Sequence, residues 1–305
     1  MKTYGLIQSW TLSAKLFFLL LICFVSASLL SFIGLVAGMA IWSLPFDALE
    51  HYTEYGIEGI NFIRLNQAAG AVGLFILPSI TFPHFLGRPT AEFLQTDNKP
   101  KILLLLLLAI YTLLQLPWIN VMSAWNNSLE WGGALEELYQ AMRAKEDAAA
   151  AMIENLLTMP DIQSLLVTMI VVALIPAMGE ELLFRGIIQN LFGQRYGIHA
   201  GIWITAFIFS FIHFQFFGFF PRLFLGALLG YVFYYTGSLW YAIAVHFTNN
   251  AGAVIAYFAF QHGMIGESPD DWGTGEGSVL WVIFSAGIGI AGIMYLQRVK
   301  VIPNT

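Results

Sequence analysis

Residues 164–193 read SLLVTMIVVALIPAMGEELLFRGIIQNLFG. Apart from Glu180, Glu181 and Arg185 the stretch carries no charge. It is long enough to cross a ~30 Å hydrocarbon layer as a helix rising ~1.5 Å per residue. An ionisable side chain inside lipid costs at least ~2.5–3.5 kcal/mol on insertion scales, so these three residues mark a functional site by default.

The rest of the chain asks for the same solvent. Of its 305 residues, 58% are hydrophobic and only 10% charged, with a mean hydropathy of +0.72. An ordinary soluble domain has about 25% charged residues to cover its surface. Further apolar runs lie near 14–42, 67–86, 102–122, 199–219, 222–236, 238–260 and 278–297. Together with 164–193 they predict an all-α, polytopic integral membrane protein of about eight transmembrane helices surrounded by membrane lipid, the run at 222–236 being the shortest. The first run exceeds the ~7–15 apolar residues of a secretion signal and reads as a retained anchor. Cys23, the only cysteine, lies within it, which rules out an intrachain disulfide and a Cys₄ zinc site. Thirteen Lys and Arg and a net charge of -6 exclude a nucleic-acid partner, which needs a basic face.

Charge placement bears on topology, because Lys and Arg collect in cytoplasmic loops. Eight spans put both termini on one side, which receives Lys2, Lys15, Arg88, Lys99, Lys101, Arg185, Arg195, Arg298 and Lys300. The other side receives only Arg64, Arg143, Lys145 and Arg222, along with most acids, including Glu276. This bias predicts an integral protein with both termini cytoplasmic, in a bacterial cytoplasmic membrane. Residues 1–163 then form N-terminal spans with one exterior polar insert at about 126–161. Residues 164–260 form a core, and 261–305 an exterior loop and a last span. The insert reads either as an amphipathic helix at the surface or as a solvated connector.

Intramembrane polar groups concentrate in the core: Glu180, Glu181, Arg185, His213, His246 and Asn250. Glu181 and Arg185 stand four apart with the acid toward the N-terminus, the better orientation for an ion pair. Glu180 is turned ~100° away and lacks that partner, which leaves one carboxylate for a second role, and burial tunes such a group toward general-base work. Phe209 and His213 share a face on the next run. Counted from a turn near Tyr196-Gly197, Glu180 and His213 come to similar depth, which predicts a facing carboxylate and imidazole. His246 and Asn250 also share a face, and a buried Asn beside His can orient the ring or donate to an oxyanion. Counted from Gly237, however, His246 lies only ~14 Å deep, shallower than the other two. Singly, each group has a structural reading as ion pair, backbone-bonded His or interhelical glue. Together they make the inventory of a catalytic site. Gly226 and Gly230 form a small-x-x-x-small packing face.

These residues carry a resemblance. Glu180-Glu181-x-x-x-Arg185, Phe209-x-x-x-His213 and His246-x-x-x-Asn250, in that order and on separate spans, resemble the signature of the CPBP (Abi) family of intramembrane endopeptidases, which includes type II CAAX prenyl proteases and bacteriocin-processing proteins. Phe184-Arg185-Gly186 and Thr236-Gly237-Ser238-Leu239-Trp240 look like that family too. The resemblance covers about 164–260. It implies hydrolysis of a peptide bond in a membrane-associated protein or peptide, with water activated at Glu180 and His213. His246 and Asn250 would stabilise the oxyanion, with Glu181, Arg185 and Phe209 in support. Members are commonly labelled metalloproteases, which would make Glu180, His213 and His246 ligands of one zinc ion; a metal-free glutamate mechanism uses the same residues. Two other classes compete: a non-catalytic scaffold or bacteriocin-immunity protein that keeps the motifs for folding, and a proton-coupled transporter. The transporter reading is weakened by the clustering of polar groups in one half of the chain.

Overall fold

The computed structural model of the chain describes residues 5–275 and 277–299. Lys2, Glu276 and Lys300, three of the charges counted for topology, lie outside them. Among the described residues all regular structure is helical. Six helices are long and apolar enough to cross a membrane: α1 Leu12–Trp42, α2 Tyr52–Phe85, α6 Ile162–Tyr196, α8 Phe216–Thr236, α9 Leu239–Gln261 and α10 Val279–Val299. A bent pair, α3 Ile102–Leu113 and α4 Leu116–Asn127, inclined by 41°, is long and apolar enough only when its two halves are taken together. Pro117 explains the bend, since its ring cannot continue a straight helix past Leu113 and it offers no N–H.

The remaining predicted span is shorter than its run of apolar residues. α7 covers Ile198–Phe211, only 14 residues, or ~21 Å by helical rise, shorter than the ~30 Å hydrocarbon layer. Hydropathy does not register the break that ends it. At Phe214 the backbone adopts a φ of 52°, and the turn is tied by side chains. Ser210 Oγ donates to the Phe219 carbonyl at 2.7 Å, and Arg222 Nη2 to the Gln215 carbonyl at 3.0 Å. Residues from Phe216 onward therefore join the next helix, so the shortest predicted run becomes a full-length one.

Direction alternates from helix to helix. The N-terminal segment lies beside the end of α2, with Ile7 N–H donating to the Phe85 carbonyl at 3.1 Å, and α10 runs back along α3 and α4. The polar insert emerges at the opposite face, called here the insert face. It forms α5, Glu136–Leu156, which packs on the bundle rather than floating free. Arg64, placed in an exterior loop by its position between apolar runs, is instead within α2 and 1% exposed. Its guanidinium donates to the carbonyls of Leu156 and Thr158, both at 2.8 Å from Nη2, and to Asn61 Oδ1 at 2.9 Å. A cation there satisfies the orphan carbonyls at the C-terminus of α5 and complements its dipole.

The buried core joins α1, α2, α6, α8 and α9 through Leu19, Phe82, Phe184, Leu229 and Val245. Large apolar side chains such as Phe17, Phe24, Leu103 and Trp281 remain exposed, as lipid-facing positions should. Gly226 and Gly230 put α8 close to both neighbours. A Cβ at Gly226 would sit 3.2 Å from Ala206 of α7, and one at Gly230 2.8 Å from Gln189 Oε1 of α6. The bare backbone serves polar chemistry as well as packing: Arg185 Nη2 donates to the Gly226 carbonyl at 2.9 Å, and Gln189 Nε2 to that of Gly230 at 3.2 Å.

Candidate active site

Glu180 and Glu181 sit midway along α6, between two π-helical segments, Met169–Leu174 and Phe184–Gln189. Such wide turns are frequent at functional sites because they re-aim neighbouring side chains. Glu181 takes the predicted partner: Arg185 Nη1 donates to its Oε1 at 2.7 Å, with both side chains fully buried. The same oxygen meets His246 Nδ1 at 2.8 Å. Arg185 and His246 thus converge on one carboxylate from two helices.

The other nitrogen of that imidazole faces the other acid. His246 Nε2 lies 3.8 Å from Glu180 Oε2, and the Glu180 side chain is 12% exposed against 0% for Glu181. Glu180 makes no side-chain hydrogen bond among the described residues, so it is the unlocked member of the pair.

Of the two imidazoles it is His246 that pairs with Glu180 within 4 Å; among the described residues His213 makes no such pair with it. The depth problem at His246 disappears because the Gly237–Ser238 turn is recessed. Leu239 N–H donates to the Gln95 carbonyl at 3.1 Å, Asn98 Nδ2 to the Gly237 carbonyl at 2.7 Å, and Trp240 Nε1 to the Thr96 carbonyl at 2.8 Å. The neighbouring Leu94 packs on Gly186, where a Cβ would be 2.6 Å from its Cδ2. Leu239 is therefore level with Gly186 rather than with Tyr196. From that layer Glu180 is six residues along one helix and His246 seven along the other, or ~9 and ~10 Å.

Phe209 is the hub of the remaining groups. Arg185 Cζ lies 4.8 Å over its ring, and the ring meets His213 and His246 at centroid distances of 5.1 and 6.2 Å. His213 lies just beyond the end of α7, half-buried. Its Nδ1 is 2.6 Å from the Phe209 carbonyl, which assigns the proton to Nδ1 and leaves Nε2 an acceptor. Asn250 is drawn elsewhere: its Nδ2 donates to the Val172 carbonyl at 3.4 Å, and its Oδ1 accepts from Asn249 at 3.2 Å. It is thus held at the first π segment, eight residues before Glu180 on α6.

The resemblance carries a zinc expectation. Among the described residues no group of three His, Cys, Asp or Glu side chains is arranged to hold a metal ion. His246 spends Nδ1 on Glu181, and Glu180, His213 and His246 as placed do not form a ligand set.

Sequence reading missed Arg222. Counted among exterior charges, it is half-buried near the start of α8, where its terminal nitrogens donate to Gln215 Oε1 and to the Gln215 carbonyl, both at 3.0 Å. It also lines a cavity of about 950 Å³ on the insert face, bounded by Asn127 of α4, Glu146 of α5, the Gln215–Gly218 turn and Asp270 of the loop before α10. The signal available was a cation directly after Pro221 in an otherwise apolar run.

Residues 162–252 match the family model described as Type II CAAX prenyl endopeptidase Rce1-like. That segment contains every motif residue from Glu180 to Asn250, and it is the family the motifs resemble. In general terms it is a family of CAAX-type membrane endopeptidases, which act on peptide or protein substrates in a lipid environment. No curated protein and no solved structure matches the chain.

Proposed function

We propose, with an Rce1-like core as the premise, that this protein hydrolyses a peptide bond of a membrane-associated protein or peptide, with Glu180 as the general base. One observation carries the reading: a single imidazole, His246, is locked to Glu181 through one nitrogen and turns the other to Glu180, the one acid of the pair with no hydrogen bond.

Glu181 and Arg185 neutralise each other and hold His246, so Glu180 is left to accept a proton. Water bound at Glu180 loses that proton to the carboxylate, and its oxygen attacks the carbonyl carbon of the scissile bond. The proton then passes to the departing amine nitrogen as the C–N bond breaks, which returns Glu180 to its starting state. His213 offers a free Nε2 to orient the water. Asn250 is assigned to the oxyanion only if it leaves the Val172 carbonyl. The glutamate form is preferred to the metal form because the ligand geometry a zinc ion needs is not assembled.

The same reading puts the face where α1 begins and α10 ends on the cytoplasmic side, by the Lys and Arg bias, and the insert face outside. After Cys23→Ser, a cysteine introduced at Glu137 in the insert should react with an impermeant thiol reagent in intact cells; protection there would reverse the orientation.

The decisive test is cleavage of candidate membrane-associated peptides by the detergent-purified protein. Glu180→Gln and His213→Ala should abolish or strongly reduce turnover. Folded variants that cut as fast as the wild type would end the peptidase reading and favour a non-catalytic membrane scaffold.

A further inference from the structure

We infer that three residues outside the segment matched to the family, Asn126 of α4 and Arg143 and Glu146 of α5, are positioning residues for His213, because they fix the turn that carries it. The inference rests on the peptidase reading and gives the N-terminal half of the chain a share in the proposed reaction.

His213 sits where α7 has ended and α8 has not begun, so the backbone around it holds polar groups that neither helix satisfies. On the α7 side its own ring makes the tie, Nδ1 to the Phe209 carbonyl. On the α8 side the partners come from elsewhere. Asn126 is 2% exposed and spends both ends of its amide there: Nδ2 donates to the Phe216 carbonyl at 3.1 Å, and Oδ1 accepts from the Phe220 N–H at 2.9 Å. It thereby bridges two groups that an uninterrupted α-helix would join to each other. The insert closes from its own side. Phe217 is buried, with the Arg143 guanidinium 3.6 Å over its ring and Tyr139 edge-on at 5.6 Å, and its N–H donates to Glu146 Oε2 at 3.3 Å. A carboxylate at that place also complements the N-terminal dipole of α8. Arg143 is braced in turn, Nη1 donating to Asn127 Oδ1 at 2.6 Å and Nη2 to the Asn127 carbonyl at 3.0 Å.

These ties reach His213 through a short, strained stretch of backbone. Phe214 follows it directly in the left-handed region, at a φ of 52°, and a bulky residue stays there only where its surroundings over-determine it. The contacts at Phe216, Phe217 and Phe220 supply that constraint. Without them the turn is free to relax, and the imidazole moves with it. None of the three residues makes a hydrogen bond or ion pair with Glu180, Glu181 or His246 among the described residues, so their effect on the reaction runs through the turn.

The test measures kcat and KM for a cleaved peptide, with thermal unfolding as the control for folding. Arg143→Met and Asn126→Ala should each lower kcat by about 10–100-fold with KM little changed, since a misplacement near ~1 Å costs about 10²-fold. Arg143→Lys should recover part of the rate by keeping a cation over the Phe217 ring. A second readout follows position 213 itself. In a His213→Cys protein that also carries Cys23→Ser, the rate of maleimide labelling should rise when Arg143→Met or Asn126→Ala loosens the turn. If Asn126→Ala fails to fold, the two substitutions at the half-buried Arg143 carry the test. Wild-type kcat in the folded variants, an effect on KM alone, or a lower kcat with unchanged labelling at 213 would overturn the assignment. If Glu180→Gln is inactive while the Arg143 and Asn126 variants are unimpaired, only the positioning role falls; if Glu180→Gln also cleaves normally, the peptidase reading falls with it.

Discussion

His246 is tied to Glu181, Nδ1 to Oε1 at 2.8 Å, across the interface between α9 and α6. Because Arg185 holds the same oxygen at 2.7 Å, one carboxylate sets the position of both a cation and an imidazole. Adjacent glutamates thereby acquire different duties, one structural and one chemical.

Replacing each acid should separate those duties. Glu181→Ala leaves the guanidinium of Arg185 buried without its counter-charge and should cost about 3–5 kcal/mol of stability. It should lower the thermal unfolding midpoint and, with it, activity. Glu180→Gln removes a partly exposed group that makes no hydrogen bond, so the midpoint should stay near wild type while cleavage is lost. Equal destabilisation by the two substitutions would contradict the division of roles.

Gly230 of α8 should be intolerant where Gly287 of α10 is not. Gly230→Val meets Ile202 and the Gln189 amide, and overpacking of this kind costs about 1–3 kcal/mol. Gly287→Ala meets nothing within 4 Å, and by helix propensity it should be neutral or stabilising by up to about 1 kcal/mol. Unfolding midpoints of the two variants in one detergent decide the matter.

Arg64 should anchor the insert. Arg64→Met leaves the Leu156 and Thr158 carbonyls without their donor, at about 1–3 kcal/mol for a buried unsatisfied group. Limited proteolysis should then cut faster between α5 and α6, at 157–161, than in the wild type. An unchanged digestion pattern would mean that packing by Met142 and the contact of Arg143 with Phe217 suffice to hold α5.

Metal analysis should separate the two forms of hydrolysis. The glutamate mechanism predicts zinc well below one equivalent in the purified protein and cleavage that survives a chelator. Activity lost on chelation and restored by zinc would show that Glu180, His213 and His246 draw together around the ion.

Much of this was legible in the chain. The membrane as solvent, the all-helical class and the i,i+4 pairing of Glu181 with Arg185 each depend on composition or on local helical period. The family resemblance rested on three short motifs, and the match over residues 162–252 falls on the same segment. Arg64 was misread because a charge next to an apolar run reads as a loop residue, although neighbouring carbonyls can keep it inside a helix. The break at Phe214 was hidden because a turn made of Phe, Gln and Phe is as apolar to a hydropathy window as the helix it ends.

The sequence by itself determined which side chains are available inside the lipid and which of them share a helical face, since spacing along one helix is settled by a period of 3.6 residues. Only the tertiary structure decided which imidazole meets Glu180. Depth across helices is set by where each turn is seated, and the turn at Gly237 is seated on the 95–101 loop, about 140 residues away in sequence, a contact that no local pattern encodes.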